Sequence, residues 1–427
     1  VCHQIMDDGN LGTLDGFSGS YTINSNKLIY GQYNVSENPM LNATGFRPTF
    51  AAHVSDSAMC AVCHNLKTPF VDANGDLAST TPESEFPAQM PYTEWEHSEF
   101  DDAGANPQSC QDCHMPETTS RVSTRPGFLP ARDGFGKHHL NGANTTMLAL
   151  LRDNAAALDV TSPEMDAAIA RARALLQSSV TLEIMSASVT DGVLETRVRL
   201  RNESGHKTPT AYPSRRMWLH FKVSDSNNNV IFESGQINVD GSITGADGDV
   251  DQSVYEPHYE LISSEDQVQI YESVIGNTDG NVTYPLLRAA GYLKVIRLTP
   301  RGFDKLGVPD DVAVRGLAFN DDDFNQGNDD ILYRFPVAVA GELTIDVALN
   351  YQAISHDYVQ DLYRDSQLEQ VQTFKTMYDA QPLKHEQITA VQTTVISDGT
   401  DPVDSDGDGI VDASDNCIRV ANVDQRD

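Results

Sequence analysis

The sequence predicts a mixed fold in three parts: a loop-rich N-terminal segment with short helices, an antiparallel β-sandwich domain, and an acidic tail. Three observations carry this. Residues 1–145 are dense in turn formers, as in GNLGTLDGFSGS and ANGDLASTTPESEFPAQMP, and hold little regular periodicity. From residue 180 onward, β-branched segments alternate polar and apolar positions between Asp, Gly and Asn turns. Beyond residue 397 the chain becomes an acidic, glycine-punctuated run, DPVDSDGDGIVDASDNC.

A segment with so few regular elements needs another source of core. The cysteines name it. Residues 60–64 read CAVCH and residues 110–114 read CQDCH. Both are Cys-x-x-Cys-His, the attachment motif of c-type haem. Two thiols on one backbone turn can each add to a vinyl group on the same porphyrin edge. The adjacent imidazole then lies under the iron as proximal ligand. Structural zinc needs four ligands but no His directly after the second Cys, and a thioredoxin-like pair needs none either. Cys2 and His3 read as the end of a third motif whose first Cys lies upstream of residue 1. Five of the six cysteines thus fall in haem motifs: Cys2, Cys60, Cys63, Cys110 and Cys113. Cys417 stands alone. The expected cofactors are three haems c, which the loops of residues 1–145 wrap.

Each iron has two axial positions, and the histidines are placed accordingly. Seven of the twelve lie in the first 145 residues. His3, His64 and His114 are the expected proximal ligands. Distal candidates are His53 in FAAHVSDSAMC, His97 in YTEWEHSEF, and the pair His138 and His139 in GKHHLNGAN, with His138 preferred. Met40 and Met59 are lesser distal candidates, and Met115 is too close to its own haem His to serve. Two further candidates sit in the β domain: His206 in NESGHKTPTAYPSRR and His258 in YEPHYELISSEDQVQIYE. His220, His356 and His385 read as structural.

Residues 146–178 form a helical connector, with Ser162 and Glu164 suiting a helix start and apolar stripes at Leu148, Leu151, Ile169, Ala172, Leu175 and Leu176. The β-sandwich is expected over 179–397, from strands VTLEIMSASV, VLETRVRLRN, RMWLHFKVSD, NNVIFESGQI, GELTIDVALNYQA and ITAVQTTVI. A long insertion near 236–340 and a helix near 358–380 interrupt it. In the tail, residues 398–427, Asp404, Asp406, Asp408, Asp412 and Asp415 with the carbonyl of Ile410 form an EF-hand-like calcium loop, against the alternative of a disordered acidic tail.

The stretches SAMCAVCHNLKTP, PYTEWEHSEF, SCQDCHMP and HHLNGANTTML resemble the multihaem c-type cytochromes of metal- and sulfur-respiring bacteria. SGHKTPTAYPSRRMWLHF, EPHY and QVQIYE resemble the β-rich domain that such proteins often carry. The tail resembles a thrombospondin type 3 repeat. The resemblance implies bis-histidine, low-spin haems in a chain, between which electrons tunnel. It implies a periplasmic or extracellular location, and partners that are other cytochromes or an external electron acceptor.

A net charge of −33 argues against nucleic acid and anionic membranes as partners. No apolar run is long enough to span a bilayer. The leading functional expectation is therefore an electron carrier without catalytic residues. The alternatives are an oxidoreductase acting on a small nitrogen or sulfur oxyanion, and a subunit that self-assembles into a conductive filament.

Overall fold

The structure is a computed structural model, and it describes residues 1–427 except 122, 124–126, 128, 161–163, 408–411, 413, 414, 416, 418 and 422–427. In the N-terminal segment, regular structure is confined to small pieces. Leu28–Gly31 pairs with Arg47–Phe50, Leu66–Thr68 with Phe86–Gln89, and Glu117–Ser120 with Arg132–Gly136. Four short helices stand among them: Asn38–Thr44, α1 (Ala58–His64), α2 (Pro91–Glu96) and α3 (Cys110–His114). Helices this short are marginal on propensity alone and need tertiary contacts to hold them.

The connector is two helices, α4 (Thr145–Asp153) and α5 (Met165–Gln177). Asn144 caps α4 by accepting the Met147 N–H at 3.1 Å. Glu164 stands at the start of α5, while Ser162 lies outside the described residues. Leu150, Ile169, Ala172 and Leu176 are the buried positions of the two helices' apolar faces.

The β domain has strands β1 (Val180–Thr190), β2 (Val193–Asn202), β3 (Arg216–Asp225), β4 (Val230–Ser234), β5 (Leu261–Ile262), β6 (Ile270–Tyr271), β7 (Asn328–Pro336), β8 (Gly341–Gln352) and β9 (Glu386–Ser397). One sheet runs β4-β3-β8-β9, with β6 also on β3. The other runs β5-β7-β2-β1, and only the β5–β7 pair in it is parallel. Alternate residues of each sheet point into one core. Met217, Leu219, Phe221 and Val223 of β3 meet Ile331, Tyr333 and Phe335 of β7 there. Phe221 stacks on Tyr333 with centroids 3.8 Å apart, and Phe232 on Phe335 at 3.9 Å.

Two boundaries differ from the sequence reading. β7 falls inside the expected insertion, yet it is a central strand, paired along its whole length with β2. Its buried Asp329 and Asp330 break the apolar pattern that marks the other strands. The expected helix near 358–380 is two helices, α6 (His356–Tyr363) and α7 (Glu369–Asp379).

The N-terminal segment docks on this domain. Phe17, Ala61 and Met90 belong to the same core as the sheets, and Phe86 and Ala88 pack with Ile275 and Ala289. Close backbone approach needs glycine at two places. A Cβ on Gly302 (φ +81°) would lie 2.6 Å from the Glu99 nitrogen, and one on Gly205 would lie 3.1 Å from Trp95.

Candidate haem centres

The attachment motifs sit on the short helices. CAVCH forms the body of α1 and CQDCH all of α3. Ser109 and Asp112 form a capping box at α3: the Ser109 N–H donates to Asp112 at 2.7 Å, and the Asp112 N–H donates back to Ser109 Oγ at 3.3 Å. Three bonds tie α3 to the turn before α1. The Cys110 N–H donates to Ser57 Oγ at 3.0 Å, and the Gln111 amide donates to the carbonyls of Asp56 at 2.9 Å and Val54 at 3.4 Å. The two motifs therefore have a fixed mutual placement. The Cys60 and Cys110 thiols hydrogen-bond each other. That bond, then burial, holds Cys60 far above the usual thiol range, while it lowers Cys110. None of the six cysteines is in a disulfide.

The histidines gather in pairs. His3 lies 5.9 Å from His138, centroid to centroid, with the rings 34° apart. His114 lies 6.2 Å from His206, with rings 20° apart. A metal–imidazole bond of about 2 Å on each side of one ion puts two ring centres roughly 6 Å apart. Both pairs match that spacing. The ring nitrogens agree with it. His3 Nδ1 is bonded to the Tyr30 carbonyl at 2.7 Å, His114 Nδ1 to the Asn141 carbonyl at 2.6 Å, and His206 Nδ1 to the Lys207 carbonyl at 3.1 Å. A protonated Nδ1 that donates to a carbonyl leaves the Nε2 lone pair for a metal. Burial, and then the nearby His114, press the His206 imidazole down to about 4, so it is neutral and able to ligate. The residues present therefore fit a haem iron between two imidazoles at each pair.

The other candidates are placed differently. Among the described residues, no second imidazole stands at this spacing from His64. The residue is exposed overall, and partial desolvation, then the nearby His114, lowers its pKa. His97 closes α2 with Nδ1 on the Thr93 carbonyl at 2.8 Å, which leaves Nε2 available. His53 has Nε2 on the Ile5 carbonyl at 3.0 Å and packs edge-on against Tyr30, so only Nδ1 is open. His139 is exposed beside His138.

His258 is held away from any such role. Together with Asp321 and Asp329 it makes a buried group of potential metal ligands. Its Nε2 lies 2.7 Å from Asp321 and 3.8 Å from Asp329. Gln269 fixes the protonation. Its carbonyl oxygen accepts the Tyr259 N–H at 2.9 Å, so its amide nitrogen must donate to His258 Nδ1 at 2.8 Å. His258 Nε2 then carries the proton and donates to Asp321. Neither nitrogen has a lone pair to offer, and His258 leaves the ligand set. His220 is likewise engaged, bonded to Glu233 at 2.8 Å.

In the tail, Asp408 and Ile410 lie outside the described residues. Asp404 accepts the Gly407 N–H at 2.8 Å, and Asp412 accepts the Ser405 N–H and hydroxyl at 2.7 and 2.6 Å. These bonds bring Asp412 against Ser405 and Gly407 against Asp404.

One group escaped the sequence reading. Glu94 of α2 is fully buried and bonds both Arg297, at 2.6 Å, and the Lys207 backbone N–H, at 3.0 Å. It anchors the loop that carries His206. No local pattern marks it, because its partners come from distant parts of the chain.

No family model matches the chain, and no curated protein matches it. Among solved structures it is similar to a penta-haem cytochrome c552 from Thermochromatium tepidum, with 13% sequence identity and a TM-score of 0.49, over 92% of this chain and 75% of that one.

Proposed function

We propose that this chain is a multihaem c-type cytochrome that carries electrons. The observation that supports this best is the pairing of His114 with His206, and of His3 with His138, beside thiols in attachment motifs. Bound haem would supply one-electron chemistry, its iron cycling between ferric and ferrous states. The chain's residues do the rest. Cys60 and Cys63, and Cys110 and Cys113, tether two groups covalently, and Cys2 tethers a third. His3 and His138 would hold one iron, and His114 and His206 another. The carbonyls of Tyr30, Asn141 and Lys207 fix the ligand rings, so little moves when charge changes. At those two irons a pair of protein ligands would exclude substrate and leave electron exchange as the reaction.

A periplasmic or extracellular location goes with this reading, as do partners that are other cytochromes or an extracellular acceptor. None of the described helices is long and apolar enough to cross a membrane. Calcium at the tail loop, held by Asp404, Asp406, Asp408, Asp412, Asp415 and the Ile410 carbonyl, belongs to the same proposal.

One observation favours a second reading. Among the described residues no imidazole faces His64, and an iron with a vacant position could act on a small nitrogen or sulfur oxyanion. The intact mass of the purified holoprotein, with low-temperature EPR, tests both. Three covalent haems and only low-spin ferric signals are expected of the carrier. A high-spin signal that shifts with added nitrite or sulfite would transfer the case to the oxidoreductase. A mass without haem would end both readings.

A further inference from the structure

Beside the His114–His206 pair lies a buried guanidinium that the protein only partly satisfies. Arg297 is 5% exposed, and its Nη2 donates to Glu94 at 2.6 Å. Its Nε and Nη1 are also buried, and among the described residues neither meets an acceptor. Buried N–H groups of a charged side chain are rarely left so, because the lost hydration has nothing to replace it.

The surrounding charges show what kind of partner is missing. Glu94 also accepts the backbone N–H of Lys207, the residue after His206. The Lys207 ammonium is buried on the carbonyls of Val312, at 2.6 Å, and Ala313, at 3.4 Å. The neighbouring carboxylates are engaged elsewhere: Asp311 with Lys67 at 2.9 Å, and Asp310 with Arg315 at 2.7 Å. Asp310 is exposed and Asp311 partly so, which leaves the buried Arg297 and Lys207 with one buried carboxylate, Glu94, between them. Burial, and then Arg297, already presses the Lys207 ammonium down to about 7. Water could accept both N–H groups but would not offset the charge. An oxyanion does both, and planar carboxylates suit a guanidinium best.

We infer that Arg297 binds an oxyanion that the polypeptide does not supply, a carboxylate of the haem held by His114 and His206 or a small free anion. This rests on the haem reading above. In either case Arg297 sets the potential of that haem. Its positive charge offsets negative charge near the iron and so favours the ferrous state.

The test uses the holoprotein and its Arg297→Gln variant. Haem content by intact mass is read first, and its absence would fail the haem reading rather than this one. Optical redox titrations follow, with and without millimolar nitrite, sulfite or phosphate. If a propionate fills the site, Arg297→Gln lowers the potential of one haem by a tenfold shift in its reduction equilibrium, about 59 mV for one electron. Added anions then change nothing in the wild type. If a free anion fills it, added anion shifts the wild-type potential and leaves the variant unmoved. Unchanged potentials under both conditions overturn the proposal. Should the variant not fold, a high-resolution crystal structure of the wild-type holoprotein decides. An anionic oxygen on Nε or Nη1 supports the inference, and water alone on both overturns it.

Discussion

His114 and His206 face each other at 6.2 Å with rings 20° from parallel, although one lies in the N-terminal segment and the other on a loop of the β domain. The pair spans the junction of two structural units. Gly205 makes the approach possible, since its backbone lies against Trp95. In a mature holoprotein, ligation there would be linked to docking of the two units.

Replacement of His206 should therefore convert one haem and leave the others alone. His206→Ala is expected to keep the full haem mass, because Cys110 and Cys113 still tether the group, and to turn one low-spin EPR signal high-spin. His258→Ala is the control. Both its nitrogens serve the protein's own groups, so its EPR spectrum should match wild type. A high-spin signal in His258→Ala, or none in His206→Ala, would reverse this assignment.

The core of the β domain depends on its stacked rings. Phe221 is fully buried, stacks on Tyr333 and meets Phe232 and Phe335 edge-on. Phe221→Ala should cost about 3–5 kcal/mol of stability. Chemical denaturation, with unchanged slope and a lower midpoint, would register it.

Stability should also depend on pH through Asp329. Burial raises its folded pKa to about 7, well above the usual carboxylate range. Between that range and the raised value the folded state binds more protons than the unfolded one. This group's contribution therefore falls as pH rises from about 4 to 7, by up to ~1.4 kcal/mol per pH unit. Asp329→Asn should flatten that part of the profile while keeping an acceptor for the Tyr271 hydroxyl, which donates to Asp329 at 2.5 Å. Thermal melts across that range measure it, and parallel wild-type and variant curves would contradict it.

Calcium should order the tail. Chelation is expected to speed proteolysis beyond residue 397, and added calcium to slow it. Asp404→Ala should remove the calcium effect. Equal cleavage rates with and without calcium would leave the loop as an ordinary acidic turn.

The parts of the site that are local in sequence were readable there. The two Cys-x-x-Cys-His motifs need only one turn of backbone, and that turn is α1 in one case and α3 in the other. The strands β1 to β4, β8 and β9 announced themselves by alternation. What joins distant residues did not. Nothing near His206 marks His114 as its partner. Neither does anything near His258 reveal that Gln269 fixes its proton. β7 was hidden because Asp329 and Asp330, which read as loop residues, are buried through pairing with Tyr271 and Arg199. Arg297 was invisible for a related reason: its meaning lies in the bonds it does not make.

The contact between the Cys60 and Cys110 thiols bears on how such a molecule matures. Before attachment, any two-electron oxidant could join these sulfurs as a disulfide. That single cross-link would disable two motifs at once, since each needs its first thiol. Ser57 keeps the two sites adjoining through its bond to the Cys110 N–H, so correct folding would itself promote the error. If the chain carries haem as proposed, attachment would have to reach it while it is either still reduced or not yet folded.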